Sequence, residues 1–350
     1  MFEYLIEADR EYPRKGEGDI IVLRDGSLLL GFSEFYGGSS DFSPARIVGM
    51  KSYDNGESWS EPFILQKNIG KCNVMSVSFL RFKSGEIGFF YGVKHSFSDL
   101  KFYMRKSYDE GVTWSDPVLV TTEKTYHVMN NDRVVQLSSG RIIAPVAVYQ
   151  NPVDHNYWKS FVYYSDDSGK TWHKSVDEVK LPDDIDSPIG LQEPGIVELR
   201  DGTLMMYMRT GLGYIYVSYS EDEGEHWIKP KPLNNIKAPT SPATIKRIPA
   251  TGDLLLVWND KSSFNLDTLD RRRADIIDKR FQHRAPLSLA ISKDEGETWK
   301  KALDLEPSLD HTYCYTSITF KDNHILFTYY YDFSHLKIKR LTIDEIYSKI

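Results

Sequence analysis

The octet SYDNGESW at Ser52–Trp59 recurs as SYDEGVTW (Ser107–Trp114), SDDSGKTW (Ser165–Trp172), SEDEGEHW (Ser220–Trp227) and SKDEGETW (Ser292–Trp299). Within each octet the Asp side chain can accept from the turn's own backbone N–H groups. The Gly supplies a positive φ, and the Trp buries a large ring that anchors the turn. The runs before the octets, such as KFYMRKSY, SFVYYS, YIYVSYS and PLSLAIS, are aromatic and β-branched at near-alternating spacing, which is strand patterning. The octets are therefore expected to be turns between strands. Calcium or sugar binding at the Asp is the competing possibility.

A second repeat lies upstream of each octet: LRDGSLLL, FKSGEIGFF, LSSGRIIAP, LRDGTLMMY and ATGDLLLVW, with FKDNHILFTYY at the C-terminus. Each has the pattern strand, tight turn, strand. Six hairpins in a chain of 350 residues give a period of roughly 58 residues, the size of a four-stranded propeller blade. The expectation is an all-β fold, a six-bladed β-propeller occupying residues 1–350 as one domain. Phe2–Ala8 would complete the last blade beside the strand-like run His335–Ile343.

Composition narrows the function classes. A net charge of −7 with 27% charged residues gives no bulk attraction to nucleic acid or to a membrane surface. Two cysteines, Cys72 and Cys314, provide neither a disulfide framework nor metal-ligand spacing, so no metal or cofactor is expected. The N-terminus lacks the pattern of a signal peptide, so a soluble, cytoplasmic chain is expected, or a secreted one if a leader has been removed. Oligomeric state is not readable.

With the strands of a blade labelled A to D, the hairpin turn joins A to B and the octet joins C to D. Antiparallel strands reverse at each turn, so both turns share one face, and the opposite face is formed by strand-A entries and B–C loops. That face receives Asp41 (in SEFYGGSSDFSPAR), Glu193 (LQEPGIVEL), Arg209 (LMMYMRT), Arg284 (HRAPLSLAIS) and Tyr315 (HTYCYTSI). Arg209 stands among apolar residues, where a charge needs an anionic partner. Asn131 enters the same face as a candidate contact. The segment 259–283 lengthens one B–C loop, and its LDTLDRRRADIIDKRF run has helical spacing, as a solvated helix or as a lid beside Arg284.

These octets, hairpins and face residues resemble the sialidase (neuraminidase) superfamily, whose Asp-box, or BNR, repeats are similar to the octets. The resemblance runs along essentially the whole chain and implies a glycoside hydrolase without cofactor. SSDFSPARIVGMKS is similar to the sialidase loop carrying the acid/base aspartate, eleven residues before the first box serine, which implies that role for Asp41. QEPGIVELRDGTLMMYMR looks like the segment with the glutamate that assists the nucleophile and the second carboxylate-binding arginine, here Glu193 and Arg209. The third arginine corresponds to Arg284 and the nucleophilic tyrosine to Tyr315, with Tyr313 as its alternative. NNDRVVQLSSGRIIAP is similar to the blade-three segment of the family.

Three positions depart. Ten residues before the first hairpin glycine, where the family has its first arginine, this chain has Gly16; Arg14 lies two residues away and Glu17 beside it. The acidic residue that steadies that arginine is matched by Tyr330, and the blade-two aspartate is absent from NVMSVS. The resemblance thus implies retaining hydrolysis of a terminal acidic sugar from a glycan, with a tyrosine nucleophile that a substrate carboxylate does not repel. A lyase or hydrolase acting on another acidic sugar such as a uronic acid, or a non-catalytic carbohydrate-binding propeller, are the alternatives. Arg14 would reach the substrate only if the PRKGEG segment bulges; otherwise Glu17 would face the ligand.

Overall fold

Among the described residues six antiparallel sheets succeed one another along the chain, five with their strands in sequence order and the sixth completed by the N-terminal strand. This computed structural model describes residues 2–149, 158–185, 187, 189–263 and 282–350. Blade one uses Arg14–Val22, Leu28–Phe35, Ala45–Ser52 and Phe63–Gln66. Blade four uses Gln192–Glu198, Leu204–Arg209, Tyr214–Ser220 and Lys231–Lys237. In blade six, Tyr313–Lys321, His324–Tyr331 and His335–Thr342 are completed by the N-terminal strand Phe2–Ile6, which pairs antiparallel with His335–Thr342, Phe2 opposite Arg340. The ring is a six-bladed β-propeller. Phe2–Ile6 ends two residues short of its sequence pattern, and His335–Thr342 one residue short, the latter because a capping box between Thr342 and Glu345 starts a short helix, Ile343–Tyr347. Residues 264–281, most of the long B–C segment of blade five, lie outside the described residues.

The core lies between neighbouring blades. Leu255 and Leu289 of blade five meet Ile318 and Phe327 of blade six, and Phe90 and Met104 of blade two meet Ile142 and Phe161 of blade three. The alternation along each strand sends one set of side chains to each neighbour, so every blade is apolar on both faces.

The octets are turns whose hydrogen bonds close on themselves. In the first, Gly56 N donates to Ser52 Oγ (2.8 Å), Ser52 Oγ donates to Asp54 (2.9 Å) and Ser58 N donates to the same carboxylate (2.8 Å). These bonds, Ser58's hydroxyl first, bring the Asp54 carboxyl down to about 2. Two octets also join strand A of their own blade to the hairpin turn of the preceding blade: Glu110 accepts both guanidinium nitrogens of Arg81 (2.7 and 2.7 Å) and the backbone N–H of Arg24 (2.9 Å), and Glu295 accepts those of Arg247 (2.8 and 2.6 Å) and the backbone N–H of Arg200 (2.9 Å). Octets and hairpin turns share one face, and the loops holding Asp41 and Arg284 open on the other.

Candidate active site

Strand A begins with the same irregularity in most blades, a bulge that leaves one residue in the left-handed region. That residue is Glu17 (φ 50°), Ser76 (φ 62°), Glu193 (φ 48°) and Tyr315 (φ 59°) in blades one, two, four and six, and Asp132 (φ 58°) occupies the like place in blade three. The bulges fall between Gly16 and Asp19, Met75 and Ser78, Gln192 and Gly195, and Cys314 and Ser317. A non-glycine residue held there costs about 1–3 kcal/mol, and such strain concentrates where a side chain must be aimed. Glu17, Ser76, Glu193 and Tyr315 all line one cavity of about 580 Å³ on the face opposite the octets.

The same cavity is lined by Arg14, Asp41, Arg209 and Arg284. Tyr315 Oη donates to Glu193 Oε1 at 2.6 Å, and Arg209 Nη1 donates to Glu193 Oε2 at 2.7 Å. Burial alone would raise Glu193, but the charge of Arg209, the bonds from Tyr315 and Arg209, and Arg284 hold its carboxyl below the usual range. Burial, reinforced by the charge of Glu193, pushes the Tyr315 phenol well up. The result is a neutral tyrosine hydrogen-bonded to an ionised carboxylate. Arg284 lies with its guanidinium carbon 5.8 Å from the Tyr315 ring centroid, and among the described residues no carboxylate stands within ion-pair distance of it.

Arg14 and Glu17, set against each other as alternatives by the sequence, both reach the cavity and bind each other: Arg14 Nη2 donates to Glu17 Oε1 at 3.2 Å. Arg14 Nε donates to Tyr330 Oη at 2.8 Å, and Nη1 forms a short ion pair with Asp41. Gly16, where counting places the family's arginine, has no room for a side chain, since a Cβ there would lie 2.0 Å from the Tyr330 ring. The tyrosine that replaces the acidic supporter thus fills the vacated place and steadies Arg14 instead. Burial pushes the Glu17 carboxyl up, against Arg14 and a short bond from Ser76. Asp41 is at the rim, with 63% of its side chain exposed. Its partial burial would raise it, but Arg14, then Lys94 and Arg284, hold it below the usual carboxylate range.

Residues 32–327 match the BNR repeat-like domain model. The chain belongs to this family. It is similar to proteins named sialidase from Paraclostridium sordellii, 30% identical over 243 residues, and from Clostridium perfringens, 27% identical over 243 residues. Those matches cover 61% and 62% of this chain and 57% and 61% of the two relatives, so the chain spans less than two thirds of their length. The fold is shared with Trypanosoma rangeli sialidase at a TM-score of 0.75 and 16% identity, covering 99% of this chain and 60% of that one. The chain is therefore a member of the sialidase/BNR superfamily with the propeller of its relatives.

Two residues selected from the sequence of this BNR-family chain are placed elsewhere. Asn131 is 1% exposed and sits behind the cavity wall, donating to the carbonyls of Gly18 (2.7 Å) and Tyr315 (3.0 Å). It positions the Tyr315 backbone and does not line the cavity. Tyr313 is 1% exposed and packs on Tyr329 and Tyr331 inside blade six, because strand alternation turns it and Tyr315 to different environments once the bulge intervenes. His127, also near a strand-A entry, is a satisfied core residue bonded to Leu100 O (3.3 Å) and Tyr163 Oη (3.2 Å).

Other residues had given no sequence signal. Asn130 lines the cavity at 2% exposure, and its side-chain nitrogen and oxygen both lack a partner among the described residues. Met75, Leu100, Phe102, Val128 and Met129 make the wall around it apolar, and Lys94 lines the cavity beside Asp41. A buried amide with free donor and acceptor beside apolar side chains suits a ligand substituent that offers both an acceptor and a donor. Only Asn131, its neighbour, stood out in the sequence, because the one-residue difference in direction is set by the irregular entry to blade three.

Proposed function

We propose that this protein is an exo-acting glycosidase that releases a terminal acidic sugar of the sialic acid type from a glycan, with retention of configuration. The observation that carries this is the 2.6 Å bond from Tyr315 Oη to Glu193, with Arg209 on the other oxygen of that carboxylate. A neutral phenol suits attack on an anomeric carbon that bears a carboxylate, because an anionic nucleophile would be repelled. Tyr315 Oη forms the bond to that carbon while Glu193 takes its proton. Asp41, in its protonated form, gives a proton to the glycosidic oxygen as that bond breaks. In the second half Asp41 takes a proton from water, the water oxygen attacks the same carbon, and the tyrosine leaves, recovering its proton from Glu193.

Arg14, Arg209 and Arg284 supply the charge-assisted donors for the substrate carboxylate. Arg14 pairs with Asp41 and Glu17. A ligand carboxylate that draws Arg14 toward itself weakens its hold on Asp41, so the Asp41 carboxyl rises toward the range a general acid needs. The names of the relatives agree with this class of substrate.

The test is a panel of fluorogenic sialosides, related nonulosonides and glucuronides. Turnover of one of the first two classes is expected, with none of the glucuronides. Tyr315→Phe and Glu193→Gln should each lower kcat by at least about a hundredfold while circular dichroism and Tm stay close to those of the parent. Glucuronide turnover alone, or near-parental kcat in Tyr315→Phe, would overturn the assignment.

A further inference from the structure

The bulge that aims Tyr315 is not held by the strand it belongs to. Tyr313–Lys321 and His324–Tyr331 pair in register at Cys314 opposite Tyr330 and again at Ser317 opposite Thr328, which leaves Tyr315 and Thr316 outside the register. Tyr315 also stands at φ 59°, where a non-glycine residue persists only if its surroundings over-determine it. Thr316 is buried, so its carbonyl needs a donor from the protein.

The donors come from other blades. Asn131 of blade three gives one amide hydrogen to the Tyr315 carbonyl (3.0 Å) and the other to the Gly18 carbonyl (2.7 Å), beside Glu17 in the blade-one bulge. Thr244, the first residue of the blade-five strand Thr244–Arg247, donates through Oγ1 to the Thr316 carbonyl (2.6 Å). Arg133 Nη1 donates to the same hydroxyl (3.2 Å), so the single hydrogen of Thr244 is left for that carbonyl. One residue past the bulge, Asp132 Oδ2 accepts from Ile318 N (2.9 Å), and Lys246 Nζ, paired with Asp132, donates to the Ile318 carbonyl (2.8 Å). Thr244 is fully buried and Asn131 nearly so, and neither lines the cavity.

We infer that Thr244 and Asn131 are positioning residues for Tyr315: by fixing the carbonyls of residues 315 and 316 they set the direction of the phenol toward Glu193. The inference rests on the proposed role of Tyr315 as nucleophile. A reacting atom displaced by about 1 Å costs up to about a hundredfold in rate. Arg14, Arg209 and Arg284 stand on other segments, so the loss of Thr244's bond falls on the chemical step and spares the binding of an acidic sugar.

The experiment starts from Thr244→Val, which keeps the shape of the side chain and removes its hydroxyl. With a fluorogenic sialoside as substrate it should lower kcat about tenfold, with the Kd of an acidic-sugar inhibitor unchanged. Thr244→Ser keeps the donor and should restore kcat. An unchanged kcat in Thr244→Val, an equal fall in Thr244→Ser, or a fall matched by an equal loss of inhibitor affinity would overturn the inference. If the parent protein turns over no sialoside, the proposed glycosidase fails by itself, and the positioning is judged by NMR of protein carrying 13C-labelled tyrosine. The Tyr315 Cζ resonance, assigned by its loss in Tyr315→Phe, should shift in Thr244→Val and return in Thr244→Ser. A resonance unmoved by Thr244→Val, or moved alike by both substitutions, overturns the inference. Asn131→Ala, which removes the donor to the Tyr315 carbonyl, takes the place of Thr244→Val if that variant does not fold: a fall in kcat or a shifted resonance supports the inference, and no change in either overturns it.

Discussion

Arg14 shows how one residue can occupy a place that counting assigns to its neighbour. Its three nitrogens meet Tyr330, Asp41 and Glu17, so it is tied to Asp41 and to the cavity at once. Arg14→Gln removes a cation from beside Asp41, and the Asp41 carboxyl should therefore rise, since an adjacent positive charge favours the ionised form. Carboxyl-detected NMR of the two proteins would read this directly; an unchanged or lower value would show that Arg14 does not control the acid. The same substitution removes one charge-assisted contact of ~1.5–3 kcal/mol, so an acidic-sugar inhibitor should bind roughly ten- to a hundredfold more weakly. Unchanged inhibitor affinity by calorimetry would take Arg14 out of the carboxylate site.

At the scale of the element, the strands and turns were legible because their signals are local. A hairpin glycine, an octet with its serine, aspartate and tryptophan, and an alternating run each describe their own geometry within ten residues. Asp41, Glu193, Arg209, Arg284 and Tyr315 could be sorted to one face by strand direction alone, and all five line one cavity. The bulges at the start of strand A were not legible, since positive φ at Glu17, Glu193 and Tyr315 runs against their local preference and is imposed by packing around the channel. Counting along an assumed regular strand therefore landed on Gly16, and Tyr313 stood as the alternative to Tyr315. Blade three offers an element-level test, because its strand A is broken into His127–Val128 and Val135–Gln136 and its first half depends on a buried histidine. Burial lowers His127 from 6.5 to about 4. A histidine whose folded value lies below its unfolded one costs nothing above pH 6.5 and costs progressively more as pH falls toward 4. The parent should lose about 3 kcal/mol across that window that His127→Gln does not lose. Urea unfolding of both proteins at pH 7 and pH 4.5 checks it, and parallel losses would contradict it.

For the whole molecule, the ring is closed by five residues from the N-terminus. Phe2–Ile6 pairs with His335–Thr342, and Glu3 meets Lys337 (3.1 Å) and Lys339 (3.6 Å) of that strand. Without it the last blade would expose an open edge. Removing residues 1–7 should lower Tm by about 5–10 °C and speed aggregation, read by calorimetry and light scattering. An unchanged Tm would mean that the closing strand adds nothing. The closed ring matters because the cavity draws on all of it: Arg14 and Asp41 come from blade one, Ser76 from blade two, Asn130 from blade three, Glu193 and Arg209 from blade four, Arg284 from blade five, and Tyr315 from blade six. The role proposed for Tyr315 as nucleophile can be read from a 2,3-difluoro analogue of N-acetylneuraminic acid, which forms the glycosyl–enzyme bond but hydrolyses slowly. Intact-mass and peptide mass spectrometry of the treated protein should place one sugar adduct on Tyr315, with none on the Tyr315→Phe variant. An adduct on Asp41, Glu193 or Tyr313, or no adduct in a protein that turns over sialosides, would contradict it.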